Sequence, residues 1–171
     1  MGKKVMIVED NELNLKLFTD LLRAHHFTVE GVRDGRLALE QARIFAPDLV
    51  IMDIQLPHVS GIDLIEAMQK DEALAAIPVL AVTAYAGKGD EDRIRAAGAK
   101  GYLSKPVSVM KFLETVRGII GRAKLRHNRR KQKYRKDQYM DNTLQHRRLA
   151  GAKGQCRHQQ RQEQQHHRLG V

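Results

Sequence analysis

Glu9 and Asp10, Asp53, Thr83, and Lys105 are the side chains with the most chemistry to offer, and each follows a short apolar run. Val5 to Val8 precedes Glu9-Asp10, Leu49 to Met52 precedes Asp53, Val79 to Val82 precedes Thr83, and Gly101 to Leu103 precedes Ser104-Lys105-Pro106. If these runs are parallel strands of an open α/β sheet, their carboxyl ends share the edge at which such sheets bind ligands, and three carboxylates, a hydroxyl and an ammonium converge there. Three anions in one pocket repel by on the order of 4 kcal/mol per close pair at an effective dielectric near 20, so a cation belongs among them. Hard oxygen donors, few carboxylates and room for water suit Mg²⁺. A carboxylate beside Mg²⁺ is the equipment of a phosphoryl acceptor. Asp53 is then the nucleophile, Mg²⁺ and Lys105 neutralise the equatorial oxygens, and Thr83 hydrogen-bonds the bound group. An acidic or amide residue at a loop start also serves as a helix cap, and Asp10 or Asn11 fits that role as well. Asp53 does not, because Ile54-Gln55-Leu56-Pro57 is no helix start.

The elements that must position these groups alternate regularly. Thr28 to Val32 completes a set of five short strands with the four runs above. A helix is expected over about residues 12–25, where Leu13, Leu17 and Leu21 repeat with Phe18 and Leu22 beside them to make one apolar stripe. Others are expected over about 35–46 and 89–97. Ser60 followed by Asp63 fits a capping box opening the third helix, and Ser108 can cap a last one whose Val109, Phe112, Leu113, Val116 and Ile120 share a face. Continuous apolar strands between amphipathic helices indicate a parallel sheet covered on both faces, a doubly wound (βα)5 sandwich. Strand order is not readable from this pattern.

Four motifs, in order and each at a strand end, resemble those of the response-regulator receiver family: Val8-Glu9-Asp10-Asn11, Met52-Asp53-Ile54-Gln55-Leu56-Pro57 with Gly61, Thr83-Ala84, and Lys105-Pro106. The resemblance spans residues 5 to 121. It implies the flavodoxin-like strand order 2-1-3-4-5, phosphorylation of Asp53, and Mg²⁺ held by Asp10, Asp53 and the Gln55 backbone carbonyl, with Glu9 assisting through water. It implies a cis Lys105-Pro106 bond, and X-Pro bonds are the ones able to be so. It also implies a switch in which Thr83 moves toward the phosphoryl group, Tyr102 turns inward, and the face made by the fourth helix, fifth strand and last helix changes. The implied partners are a sensor histidine kinase or phosphotransfer protein as donor and a downstream protein on that face. Within the family, Asp-Asn-Glu-Leu-Asn at 10–14 and Gly-Asp-Glu at 89–91 most resemble members that control cell division.

Composition bounds the rest. The net charge of +10 is carried by the end of the chain: residues 1–121 hold 15 Lys+Arg against 17 Asp+Glu, whereas residues 122–171 hold 15 Lys+Arg against three acids. The expected domains are thus a receiver over 3–121 and a basic low-complexity tail over 122–171, too polar to bury enough surface to order itself. The sole cysteine, Cys156, excludes a disulfide framework within the chain. Met1 to Lys4 is followed by only four apolar residues, too few for a signal peptide or a bilayer span, so a cytoplasmic protein with no membrane partner is expected. Nucleic acid is not an expected partner. A DNA-binding regulator using the tail as effector is the alternative, with phosphate contacts from Arg129-Arg130-Lys131 and Tyr134-Arg135-Lys136. A multiple-turnover phosphatase of the haloacid-dehalogenase type is disfavoured, because its Asp-x-Asp is absent: position 55 is Gln. Gly87-Lys88-Gly89 is no phosphate-binding loop.

Overall fold

The computed structural model describes residues 2–123 apart from 85, 86 and 88. They fall in the first of two units into which the chain divides, Met1–Lys124. Nearly all of the basic tail expected over 122–171, with Cys156 and its Lys/Arg runs, lies outside the described residues.

The strands are β1 (Lys4–Val8), β2 (Thr28–Val32), β3 (Leu49–Asp53), β4 (Val79–Thr83) and β5 (Gly101–Ser104). All pair in parallel in the order β2-β1-β3-β4-β5. The helices are α1 (Glu12–Ala24), α2 (Ala38–Phe45), α3 (Gly61–Lys70) and α4 (Asp90–Ala96), followed by α5 over residues 109–123. This is the expected doubly wound, flavodoxin-like sandwich.

Strand residues alternate between two cores. Met6, Val8, Val50 and Met52 join Ala42, Leu64, Ile65 and Ile94 on the face of α2, α3 and α4, while Val5, Ile7, Leu49 and Ile51 join Phe18, Leu22, Phe112 and Val116 on the face of α1 and α5. Both faces are dry, which is why the central strands read as unbroken apolar runs. Phe18 and Phe112 stack with ring centroids 4.8 Å apart and set α1 beside α5.

Three expectations are corrected. The stripe on α1 is narrower than its leucines suggest: Phe18 and Leu22 are buried, but Leu13 is 79% and Leu17 53% exposed. Leu17 sits about 100° around the helix from Phe18, so turning Phe18 and Leu22 onto the sheet turns Leu13 and Leu17 off it. The helix expected over 35–46 is a 3-10 turn, Gly35–Leu37, capped by the Asp34 side chain on the Arg36 N–H, and then α2, which ends before Ala46 in the left-handed region at φ 50°. Finally, β3, β4 and β5 each run one residue further than expected. Asp53 and Thr83 are the last rungs of their strands, in register with Val82 and Ser104.

The α1 correction can be tested by urea unfolding. Phe18→Ala should cost about 3–5 kcal/mol, as expected for a deleted core aromatic, whereas Leu17→Ala should stay within about 0.5 kcal/mol of wild type.

Candidate functional site

The crossovers from β1 and β3 leave toward opposite faces of the sheet, α1 on one and α3 on the other, and so open a crevice at the carboxyl ends of these neighbouring strands. Glu9 continues the β1 ladder, its N–H donating to the Val32 carbonyl at 3.1 Å, and Asp10 follows as the chain turns into α1. Asp53 closes β3. The loop after it is drawn back by the Gly61 N–H donating to the Ile54 carbonyl at 3.1 Å. Gly61 is required there: a Cβ would fall against the Asp53 carbonyl oxygen and lie 2.7 Å from Ile54 Cα.

Glu9, Asp10 and Asp53 each offer a carboxylate oxygen, all within 4.8 Å of one another, a group able to hold a metal ion. Lys105 reaches them from beyond β5, with Nζ 2.7 Å from Glu9 Oε2 and 2.6 Å from Asp53 Oδ2. Its backbone N–H donates to the Thr83 carbonyl at 2.7 Å, tying the lysine to the end of β4, and the Lys105-Pro106 bond is cis. Asp53 Oδ1 accepts from the Gln55 N–H at 2.9 Å. Glu9 Oε1 accepts from the Asn11 N–H at 3.3 Å and from Asn14 Nδ2 at 3.5 Å. Thr83 is buried at the carboxyl end of β4, and Tyr102 is half-buried in β5 against the α2, α3 and α4 core.

Burial raises the Glu9 carboxyl above its ordinary range and Asp53 adds to this, while the Lys105 ammonium pulls the other way. Burial lowers Lys105, but hydrogen bonds and charge from Asp53 and Glu9 outweigh it and hold the ammonium above its usual value. One ammonium among three carboxylates leaves the pocket negative and ready for a further cation. Oxygen donors of this kind suit a hard divalent ion.

The site thus assembles Glu9, Asp10, Asp53, Thr83 and Lys105, named from the sequence, at one edge, with the Gln55 backbone beside Asp53. Tyr102 lies one strand position before Leu103, packed against the core shared with α2, α3 and α4. Asn14 was not among the expected site residues. Its signals were its place one helical turn after Asp10 and at the end of the Asp-Asn-Glu-Leu-Asn run, and neither shows where an amide points.

The sequence model of the response regulator receiver domain matches residues 5–117, and the chain belongs to that family of signalling proteins, which are switches rather than multiple-turnover enzymes. Among its relatives is the polar-differentiation response regulator DivK of Brucella ovis, 54% identical over 123 residues, 72% of this chain and all of the relative. Among solved structures, the receiver domain of the sensor histidine kinase PA1611 from Pseudomonas aeruginosa, with a magnesium ion coordinated in its active site cleft, is 30% identical. Its TM-score is 0.66 over 71% of this chain and 99% of that one. The chemotaxis response regulator CheY4 of Vibrio cholerae is 26% identical with a TM-score of 0.66 over 70% and 99%.

Replacing Lys105 by Met strands two buried anions and should lower stability near neutral pH by about 3 kcal/mol, the scale for breaking one side of a buried ion pair. Lys105 pulls the buried Glu9 carboxyl down, so without it that carboxyl rises further and the folded variant takes up a proton at higher pH than folded wild type does. The deficit should therefore shrink as pH falls toward the ordinary Glu value of 4.5. Thermal unfolding of both proteins across this range is the check, and a deficit that does not change with pH would contradict the reading.

Proposed function

We propose that this chain is the phosphorylation-dependent switch of a two-component phosphorelay, with Asp53 as the acceptor. The observation that carries the reading is the clasp of Glu9 and Asp53 on Lys105 Nζ, with an Asp10 carboxylate oxygen within 4.8 Å of both carboxylates. A carboxylate so placed is a nucleophile whose charge is already partly balanced. A lone pair of Asp53 bonds to phosphorus as the P–N bond of a phosphohistidine breaks, and the departing imidazole takes up a proton. Lys105 remains beside the acceptor and neutralises phosphoryl oxygens, and the Thr83 hydroxyl donates to the group once it is bound.

Mg²⁺, when bound by Asp10, Asp53 and the Gln55 backbone carbonyl with Glu9 assisting through water, supplies the positive charge that draws phosphoryl oxygens to the site. The acidic cluster supports this assignment, as does the magnesium in the cleft of the PA1611 receiver.

The donor in this reading is a sensor histidine kinase or a phosphotransfer protein, and the chain's own chemistry is limited to phosphorylating and dephosphorylating itself. A phosphoryl group adds about −1.5 to −2 charge and shifts a pre-existing equilibrium by its differential contacts with the two states. Thr83 moving toward it and Tyr102 turning inward carry the change to the face of α4, β5 and α5, where a downstream protein docks. Likeness to a polar-differentiation regulator supports a role in cell-division and cell-cycle control, and the reading places this switch in the cytoplasm. Among the described residues no helix is long and apolar enough to cross a membrane.

Intact-mass spectrometry after incubation with a small phosphodonor and Mg²⁺ tests the core of this. Wild type should gain one phosphoryl group, and both Asp53→Asn and chelated wild type should gain none. An unmodified wild type that still binds Mg²⁺ would sink the acceptor role.

A further inference from the structure

The first turn of α1 is built around the site rather than around itself. Asn11 is the N-cap, and its Oδ1 accepts from the Asn14 N–H at 3.0 Å. In a capping box, the side chain three residues into the helix reaches back and accepts from the cap residue's own N–H. Here that N–H is taken by Glu9, with Asn11 N donating to Oε1 at 3.3 Å. The Asn14 side chain, freed from the box, turns to the same oxygen, Nδ2 donating to Glu9 Oε1 at 3.5 Å. Glu9 Oε2 meanwhile accepts from Lys105 Nζ at 2.7 Å. Glu9 is thus a carboxylate only 2% exposed, with each oxygen tied to a different element. The residue types fit that arrangement. A Glu at position 14, favoured by the capping box, would set a second carboxylate against Glu9, whereas an amide can donate.

We propose that Asn14 is a positioning residue for the acceptor site: its carboxamide holds Glu9 Oε1 on the α1 side, so that Oε2 stays with Lys105 and Glu9 faces Asp10 and Asp53 in a fixed orientation. The proposal rests on the phosphoacceptor reading above. It separates cleanly from a role in the helix alone, because Leu has nearly the shape of Asn and a higher helix propensity. If Asn14 only serves α1, Asn14→Leu is harmless. If it positions Glu9, the variant folds but loses metal affinity.

The test uses the full chain, with Asn14→Leu and with Asn14→Gln, which keeps the donor. Three readouts are taken: Mg²⁺ titration of the unphosphorylated protein by calorimetry, the Mg²⁺ concentration that half-saturates phosphorylation by a small phosphodonor, and the melting temperature. Asn14→Leu is expected to weaken Mg²⁺ binding about tenfold, the scale for losing a group that orients a ligand. Its half-saturating Mg²⁺ should rise by the same factor, its melting temperature should not fall, and Asn14→Gln should recover most of the affinity. Wild-type Mg²⁺ affinity in Asn14→Leu would overturn the proposal, whether or not the melting temperature changes. A wild type that binds Mg²⁺ but takes no phosphoryl group would overturn the acceptor reading instead, and the titration would still decide the role of Asn14.

Discussion

Three carboxylates with oxygens within 4.8 Å of one another, at the end of a sheet whose two faces are covered by apolar packing, form the constraint to which the rest of this structure answers. Left alone they would drive the ends of β1 and β3 apart. The Lys105 ammonium holds them, and its position has a topological cost. β5 is two strands from β3, about 10 Å at the usual spacing of strands. The loop after β5 must therefore fold inward, and the long lysine side chain covers the remaining distance. The hydrogen bond from the Lys105 N–H to the Thr83 carbonyl fixes where that reach begins. One ammonium is nonetheless too little charge for three carboxylates, and this residual negative charge suits the pocket to a divalent cation.

The cost of the pocket is borne by the layers around it. Glu9 is buried and its carboxyl is raised in consequence, so burial works against the ionised form that the Lys105 ammonium favours. Met6, Ile7, Ile51, Met52 and Leu80, each at most 1% exposed, lie just below in the same strands and supply the burial that offsets it. Departures from the rule that charges stay in water are expected where a protein acts, and here the departure coincides with the strand ends. Among the described residues no buried side-chain nitrogen or oxygen lacks a hydrogen-bond partner. The strain of the site is thus electrostatic rather than a failure of pairing.

The loops show how local backbone demands serve the site. Gly61 lets the start of α3 close on the Asp53 carbonyl, and Ser60 caps that helix through its hydroxyl on the Ile62 N–H. His58, at φ 71°, carries the chain around between Asp53 and α3 in the left-handed region that a bulky residue seldom adopts. The result is a short, pinned connection that keeps the Gln55 N–H on Asp53 Oδ1.

Strand runs, helix count and the residues at strand ends were all legible in the order of side chains along the chain. Apolar periodicity is a local property, and an α/β sheet places the residue after each apolar run at one common edge. That is why Glu9, Asp10, Asp53, Thr83 and Lys105 could be named before any coordinate was known. What the chain could not show locally was which of two neighbouring stripes on α1 meets the sheet. Leu13-Leu17 and Phe18-Leu22 share the same spacing, and the stacking of Phe18 on Phe112, ninety-odd residues away, turns the second pair inward. The partner of Asn14 and the span of Lys105 were hidden for the same reason. Spacing sets which face a residue occupies, but the direction of a polar side chain is set by charges that arrive from distant strands, and those meet only when the sheet is assembled.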